Sequence, residues 1–186
     1  MMDLRNNPEG AYRLLDLCTR VVIDWLKAQY EAMGDTVESI FVLDDIVGFI
    51  SEKHYLEFAH PYLKRICDAF PQDWVKIYHN DADVHACLEQ LPDAGFTVPA
   101  CGKQIHISEV KRRVGDRICL MGKVNPLEVA VQGTPEEVRA ATLDVLQNSG
   151  REGIIFSVGG GISPGMPKEN ILAMLEALQD FDSKIE

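Results

Sequence analysis

Within this 186-residue chain the residues best suited by type and spacing to do chemistry stand where short apolar runs stop. Asp44 and Asp45 follow Ile40-Phe41-Val42-Leu43, and adjacent carboxylates can position a substrate or divide the roles of acid and base. One of them could equally cap the following turn while the other is solvated. His79, Asn80 and Asp81 follow Val75-Lys76-Ile77-Tyr78, which sets an imidazole and a carboxylate two residues apart. Cys101 closes a third run beside Pro99 and Gly102. Asn125-Pro126 follows a fourth run and would ordinarily turn the chain. Gly159, Gly160 and Gly161 open a loop that reaches Gly165 ahead of a helix, where backbone N–H groups could admit a phosphate or carboxylate. No Gly-Lys-Ser/Thr follows, so neither a P-loop nor a dinucleotide fingerprint is present, and a close-packed turn is as good a reading.

The elements that must position these residues can be read from periodicity and punctuation. Tyr12, Leu15, Val22, Trp25, Leu26 and Tyr30 recur at three- and four-residue steps, which predicts a helix from about Pro8 to Met33, with Gly34 as its stop. The apolar runs lack alternation, as expected of strands covered on both faces in a parallel sheet. Ser51 is expected to cap a helix that continues, interrupted at Pro61, to about Ala69. Residues 83–91 read as a short helix, 95–98 as a weak third strand, and Ser108 as the cap of a helix through Val114. Ile118 to Met121 reads as the fourth strand. Thr134-Pro135-Glu136-Glu137 combines a cap, a first-turn proline and a glutamate at the third helical position, which predicts a helix over 135–147. Gly153 to Val158 is the fifth strand, and Pro167 to Leu178 the last helix. The order is a helix followed by five strand–loop–helix units in one domain spanning 1–186, the pattern of an α/β sheet or barrel. An eight-unit barrel typically needs about 250 residues, so five units would make only part of one, whereas an open doubly wound sheet would fit the length.

Composition excludes several function classes. A net charge of −11 and a pI of about 4.9 oppose binding to nucleic acid or to an anionic membrane. No apolar run approaches the roughly 20 residues that cross a bilayer, and the first residues lack a secretory pattern, so cytoplasmic residence is the expectation. The five cysteines, at 18, 67, 87, 101 and 119, contain no Cys-x-x-Cys and suggest neither a disulfide framework nor a zinc ribbon. Lys111-Arg112-Arg113 reads as a basic last turn of a solvated helix, matched to its dipole. The histidines at 54, 60 and 85 are expected within helices, and His106 in a loop.

Several phrases together resemble the uroporphyrinogen decarboxylase superfamily, which also contains corrinoid-dependent methyltransferases. They are Met1-Met2-Asp3-Leu4, Asp44 to Ser51, His60 to Ile66, Val114 to Pro126, Gly133 to Val138 and Ile162 to Asn170, and they span nearly the whole chain. The resemblance implies a TIM-type (β/α) barrel with these phrases in its C-terminal part, so that about three strands and an N-terminal arginine cluster would lie elsewhere. It also puts Asn125 and Gly159 to Gly161 at the barrel mouth as substrate-binding candidates. His79-x-Asp81 stands where the corrinoid-linked members carry a His-x-Cys pair of zinc ligands. The resemblance therefore makes His79 and Asp81 candidate metal ligands, and Cys101, at the end of the neighbouring strand, could supply a replacement sulfur or be simply a small loop residue. The family's third ligand position, a cysteine, corresponds to Gly160, as does the histidine of the decarboxylases' Gly-His-Gly loop. This chain departs from both branches there.

Three expectations follow. The first is methyl transfer between a corrinoid protein and a thiol or similar small-molecule acceptor, with Asp44, Asp45, His79 and Asp81 as catalytic candidates and zinc as the cofactor. The second is uroporphyrinogen decarboxylation in tetrapyrrole biosynthesis, which needs no cofactor. The third is a non-catalytic fragment or subunit of a split barrel. Exposed parallel sheet edges would favour homo-oligomerisation or pairing with the missing N-terminal half.

Overall fold

The computed structural model describes residues 1–102, 104–159 and 161–183. The amphipathic run at the start forms helix α2 (Pro8–Met33), preceded by a single turn, α1 (Asp3–Asn6). Asn7 accepts a hydrogen bond from the Gly10 N–H as its cap, and Gly34 ends the helix at φ 80°, a conformation that favours glycine. Strand β1 (Ser39–Leu43) then leads to a 3₁₀ turn at Ile46–Phe49 and to helices α3 (Glu52–Phe58) and α4 (His60–Asp68). The helical pair breaks at Ala59, ahead of Pro61, and Ser51 caps α3 as the sequence predicts.

Strand β2 covers Val75–Asn80, two residues longer than the apolar run, so His79 and Asn80 belong to the strand itself. The expected helix over 83–91 is absent. In its place are successive tight turns with one 3₁₀ turn at Leu88–Gln90, although Val84, Cys87, Leu88 and Leu91 are all buried. Cys87 and Gln90 each donate a backbone hydrogen bond three residues back. Asp83 bonds to the His85 N–H and ring and competes with helix initiation. A run of turns buries these side chains in place of the expected helix, and His85 lies in a turn rather than a helix.

Strand β3 is Val98–Cys101, shifted toward the C-terminus from the expected 95–98. Helix α5 (Ile107–Val114) is capped by His106, whose ring accepts from the Ser108 N–H, and not by Ser108. Strand β4 is Leu120–Val124, again shifted, and a turn of π-helix follows at Pro126–Val131. Helix α6 (Pro135–Ser149) carries the full reciprocal cap between Thr134 and Glu137. Strand β5 (Ile154–Val158) and helix α7 (Lys168–Ser183) are the last of the described elements.

The strands form one sheet in the order β1-β2-β3-β4-β5, and every neighbouring pair is parallel. Among the described residues β1 and β5 each pair on one side only. Ile40, Val42, Tyr78, Leu120, Val124 and Val158 join the core, where Tyr55, Leu63, Ile66, Val110 and Val145 from the helices also lie. The other face is open. Burial along β1 alternates, leaving Phe41 and Leu43 exposed. Ile155 is likewise exposed and its register partner Met121 half-buried. The apolar runs anticipated cover on both faces, and the structure provides it on one. No helix among the described residues is long and apolar enough to cross a membrane.

Candidate functional site

The strand register decides which candidate side chains share the open face. His79 pairs with Ala100, Ala100 with Met121, and Lys123 with Ser157 one step further toward the strand ends. Phe41, His79, Ala100, Met121, Ser157, Gly159 and Gly161 line a cleft of about 360 Å³ on this face. A second cleft of about 340 Å³ adjoins it through Gly159 and is lined by Gln104, His106, Lys123 and Asn125. The carboxyl ends of the strands thus present one continuous concave mouth, where parallel α/β proteins place their ligands.

His79 is the chemical centre of the first cleft. Its side chain is 17% exposed, its Nε2 lies 3.8 Å from an Asp81 carboxylate oxygen, and its ring sits 5.7 Å from that of Phe41. Its Nδ1 is buried without a hydrogen-bond partner among the described residues. Leaving such a group unsatisfied costs roughly 1–3 kcal/mol, an expense usually tolerated where a group serves function. Asp81 is held from below: its backbone N–H donates to the Asp45 carboxylate at 2.8 Å. Asp45 is therefore a positioning residue tying the loop after β1 to the loop after β2.

Asp44 diverges from this group. Its N–H donates to the His79 carbonyl at 3.0 Å, yet Asp44 lines a separate, largely apolar cleft of about 580 Å³ beside α1 and α2. Burial pushes the Asp44 carboxyl above its ordinary range, and the neighbouring Asp45 adds to the effect. The N–H groups of Val47 and Ile46 pull the other way. The paired aspartates of the sequence thus occupy two different sites.

Asn80 is the residue that sequence reasoning overlooked. It is fully buried, donates to the Asp44 carbonyl and to the Tyr78 hydroxyl at 3.2 Å, and accepts from the Ala82 N–H at 2.7 Å. Tyr78 donates to the same Asp44 carbonyl at 3.3 Å. The two strand ends are thereby locked, which aims His79 on the opposite face. Two glycines assist. A Cβ on Gly48 would sit 2.9 Å from the Asp83 backbone nitrogen, and one on Gly102 would strike the Asp81 carbonyl. Position after a strand end was the available signal for Asn80, but an amide between a histidine and an aspartate reads as a spacer.

Asn125 spends its side chain locally. Its Oδ1 accepts from the Leu127 and Glu128 N–H groups at 3.1 and 3.0 Å, and its amide donates to Glu128 at 2.8 Å. It borders the second cleft as the cap of the following turn. Gly159 and Gly161 line the first cleft, while Gly160 lies outside the described residues. Cys101 is in backbone register with Asn80, whereas His79 is in register with Ala100. The Cys101 side chain lies outside what the structure describes. Among the described residues no group of three His, Cys, Asp or Glu side chains is arranged to hold a metal ion.

The basic cluster is neutralised rather than presented. Lys111 donates to the Glu152 carbonyl at 3.0 Å, Arg112 pairs with Glu109 and Arg113 with Glu89. His106 bridges Ser108 at 2.7 Å and Asp144 at 3.0 Å, which joins α5 to α6.

Comparison with known proteins places this mouth in a family. The model of the family described as "Uroporphyrinogen decarboxylase (URO-D)" matches residues 1–181. The chain is 29% identical over 183 residues to the uroporphyrinogen decarboxylase of Chlorobium luteolum, covering 95% of this chain and 51% of that protein. With that of Pseudoalteromonas translucida it is 30% identical over 182 residues, covering 95% and 50%. A methyltransferase from Methanosarcina mazei superposes with a TM-score of 0.84 at 23% identity, covering 98% of this chain and 52% of that one. The chain thus spans about half the length of the curated relatives it matches. Five parallel strands in sequential order with one open face form a partial TIM-type barrel, consistent with the C-terminal part of such a fold. This chain belongs to the uroporphyrinogen decarboxylase family.

Proposed function

We propose that His79 and Asp81 serve a methyl transfer from a corrinoid protein to a small thiol. The observation that carries this reading is the His79 imidazole, which stands on the concave sheet face with a buried Nδ1 that has no hydrogen-bond partner among the described residues and with Asp81 beside Nε2. The fold's likeness to a protein named a methyltransferase supports the same reading. A thiol seated in the cleft would give its proton to His79, and the thiolate would take the methyl group. The carbon–sulfur bond forms as the bond between methyl and corrinoid breaks, and that electron pair stays with the corrinoid. Asp81 places a carboxylate 3.8 Å from the imidazole Nε2, while Phe41 and Met121 keep the cleft apolar.

A zinc ion, when bound, would hold the thiol as thiolate at neutral pH. His79 and Asp81 match its donor preferences, but the described residues do not complete a set of three, so the proton transfer is assigned to His79 alone.

The test supplies methylcobalamin and a panel of small thiols and follows demethylation by absorbance. His79→Ala should lower the rate at least about 100-fold, in line with loss of a general base. Absence of demethylation by the unaltered protein, or equal rates in the variant, would refute the assignment.

A second reading, uroporphyrinogen decarboxylation, is favoured by the relatives named uroporphyrinogen decarboxylase. The site suits it less well. The five strands contain two lysines and no arginine, and Lys76 is buried on the helix side, bonded to the Pro71 carbonyl. A polycarboxylate would need more positive charge than this face offers. Formation of coproporphyrinogen from uroporphyrinogen would establish this reading in place of the first.

A further inference from the structure

His106 is an uncommon residue for a helix cap, and its ring does more than cap. Asparagine, aspartate, serine and threonine fill that position best. Here an imidazole accepts the Ser108 N–H at a long 3.3 Å and meets the Ser108 hydroxyl at 2.7 Å. A backbone N–H can only donate, so Nδ1 is the unprotonated nitrogen and the Ser108 hydroxyl donates to it as well. Nε2 then carries the ring proton and donates to the Asp144 Oδ2 at 3.0 Å. The other oxygen of that carboxylate, Oδ1, accepts from the Asn148 amide at 2.9 Å, and the same amide donates to the Asp144 carbonyl at 2.8 Å. A hydroxyl, an imidazole in one tautomer and an oriented carboxylate therefore stand in series across α5 and α6.

A tether between two helices needs only the bond from His106 to Asp144. The hydroxyl on the free nitrogen adds the arrangement that activates a nucleophile: a weak nucleophile within about 2.6–3.2 Å of a base that a third group orients. Compared with the familiar serine hydrolase triad, the two ring nitrogens exchange roles while the proton path is kept. The surroundings suit an acyl substrate. His106 lines the cleft of about 340 Å³ together with Gln104, Lys123 and Asn125, and Ser108 stands half-buried beside it. Ser108 also lies in the first turn of α5, where the helix dipole favours negative charge that develops on an attacked carbonyl.

We infer that Ser108 is a nucleophile that takes the acyl group of small carboxylic esters, with His106 as its base and Asp144 as a positioning residue. The Ser108 oxygen bonds to the ester carbonyl carbon as its proton passes to His106 Nδ1. The bond from that carbon to the alkoxy oxygen then breaks, and the alcohol leaves with the proton. Water repeats the sequence, giving a proton to Nδ1 and bonding to the acyl carbon. The carboxylic acid is released and Ser108 recovers its proton. None of these groups serves the proposed methyl transfer, and acyl transfer is measured separately, so either reading can fail alone.

The probes are p-nitrophenyl acetate and diisopropyl fluorophosphate, applied to the full chain. The fluorophosphate should place a diisopropylphosphoryl group on Ser108, located by peptide mass spectrometry, and should block release of p-nitrophenol. Ser108→Ala should abolish both. His106→Asn, which keeps a good cap residue, should slow the labelling at least about 100-fold, as loss of a general base does. Asp144→Asn should lower kcat at least about tenfold with KM unchanged. Circular dichroism identifies variants that keep the fold. The inference is overturned if Ser108 carries no adduct, if p-nitrophenol release persists undiminished in Ser108→Ala, or if His106→Asn is labelled as fast as the unaltered chain. An Asp144→Asn variant that loses only thermal stability and keeps its kcat would likewise overturn it, leaving the series as a cap and a tether.

Discussion

The carboxylate of Asp45 accepts the backbone N–H of Asp81 at 2.8 Å, across 36 residues of sequence. This bond sets the position of the carboxylate next to His79 without touching the imidazole. Asp45→Ala should cost about 0.5–1.5 kcal/mol in urea unfolding and speed amide exchange at Asp81, whereas Asp45→Asn, which keeps an acceptor oxygen, should retain most of both. Equal exchange rates in all three proteins would show that another group holds the loop.

The buried amide of Asn80 serves both loops at once. Asn80→Ala leaves the Ala82 N–H without its acceptor and removes a donor to the Asp44 carbonyl, so a loss of about 1–3 kcal/mol is expected. Asn125→Ala removes an exposed cap and should cost about 1 kcal/mol. Denaturation midpoints of the two variants check the order. A smaller loss for Asn80 than for Asn125 contradicts the network described.

Gly48 is close-packed rather than free. A methyl group there meets the Ala82 side chain and the Asp83 backbone, so Gly48→Ala should destabilise the chain by about 1–3 kcal/mol through overpacking. Gly161→Ala meets nothing within 4 Å and should be nearly neutral. Thermal unfolding of the pair distinguishes crowding from a general effect of replacing glycine.

Asp44 gives the fold a specific pH dependence. Its carboxyl is raised in the folded state, first by burial, so between the ordinary value of 3.8 and the folded value the native state binds more protons than the unfolded state. Its contribution to stability is therefore greatest below 3.8, falls as the pH rises through that window and is level above it. Asp44→Asn, which cannot ionise, should gain stability relative to the unaltered chain as the pH rises from about 4 toward neutrality. A difference between the two proteins that does not vary with pH would show that Asp44 is not desolvated.

Legibility in the sequence followed the range of the forces involved. The cap of α6 was readable because Thr134 and Glu137 bond within one turn, and the end of α2 because Gly34 adopts a conformation other residues avoid. The 83–91 segment misled because the spacing of Val84, Cys87, Leu88 and Leu91 reports which side chains are buried, not which backbone bonds bury them. His106 displaced Ser108 as a cap because its ring also reaches Asp144, a helix away in sequence. The strand shifts at β3 and β4 arose in the same way, since pairing register is chosen between strands and not along them.

By itself the sequence determined the five strands, the helices that follow four of them, their punctuation, the family phrases and the histidine at the end of the second strand. These rest on local propensity, turn chemistry and side-chain type. Only the tertiary structure decided that Asp45 supports Asp81 while Asp44 turns into another cleft, and that Asn80 is a lock rather than a spacer. It alone decided that Phe41 and His79 share an uncovered face. Those outcomes depend on strand register and on which neighbour occupies each side of the sheet, and both are set by contacts between residues distant in the chain.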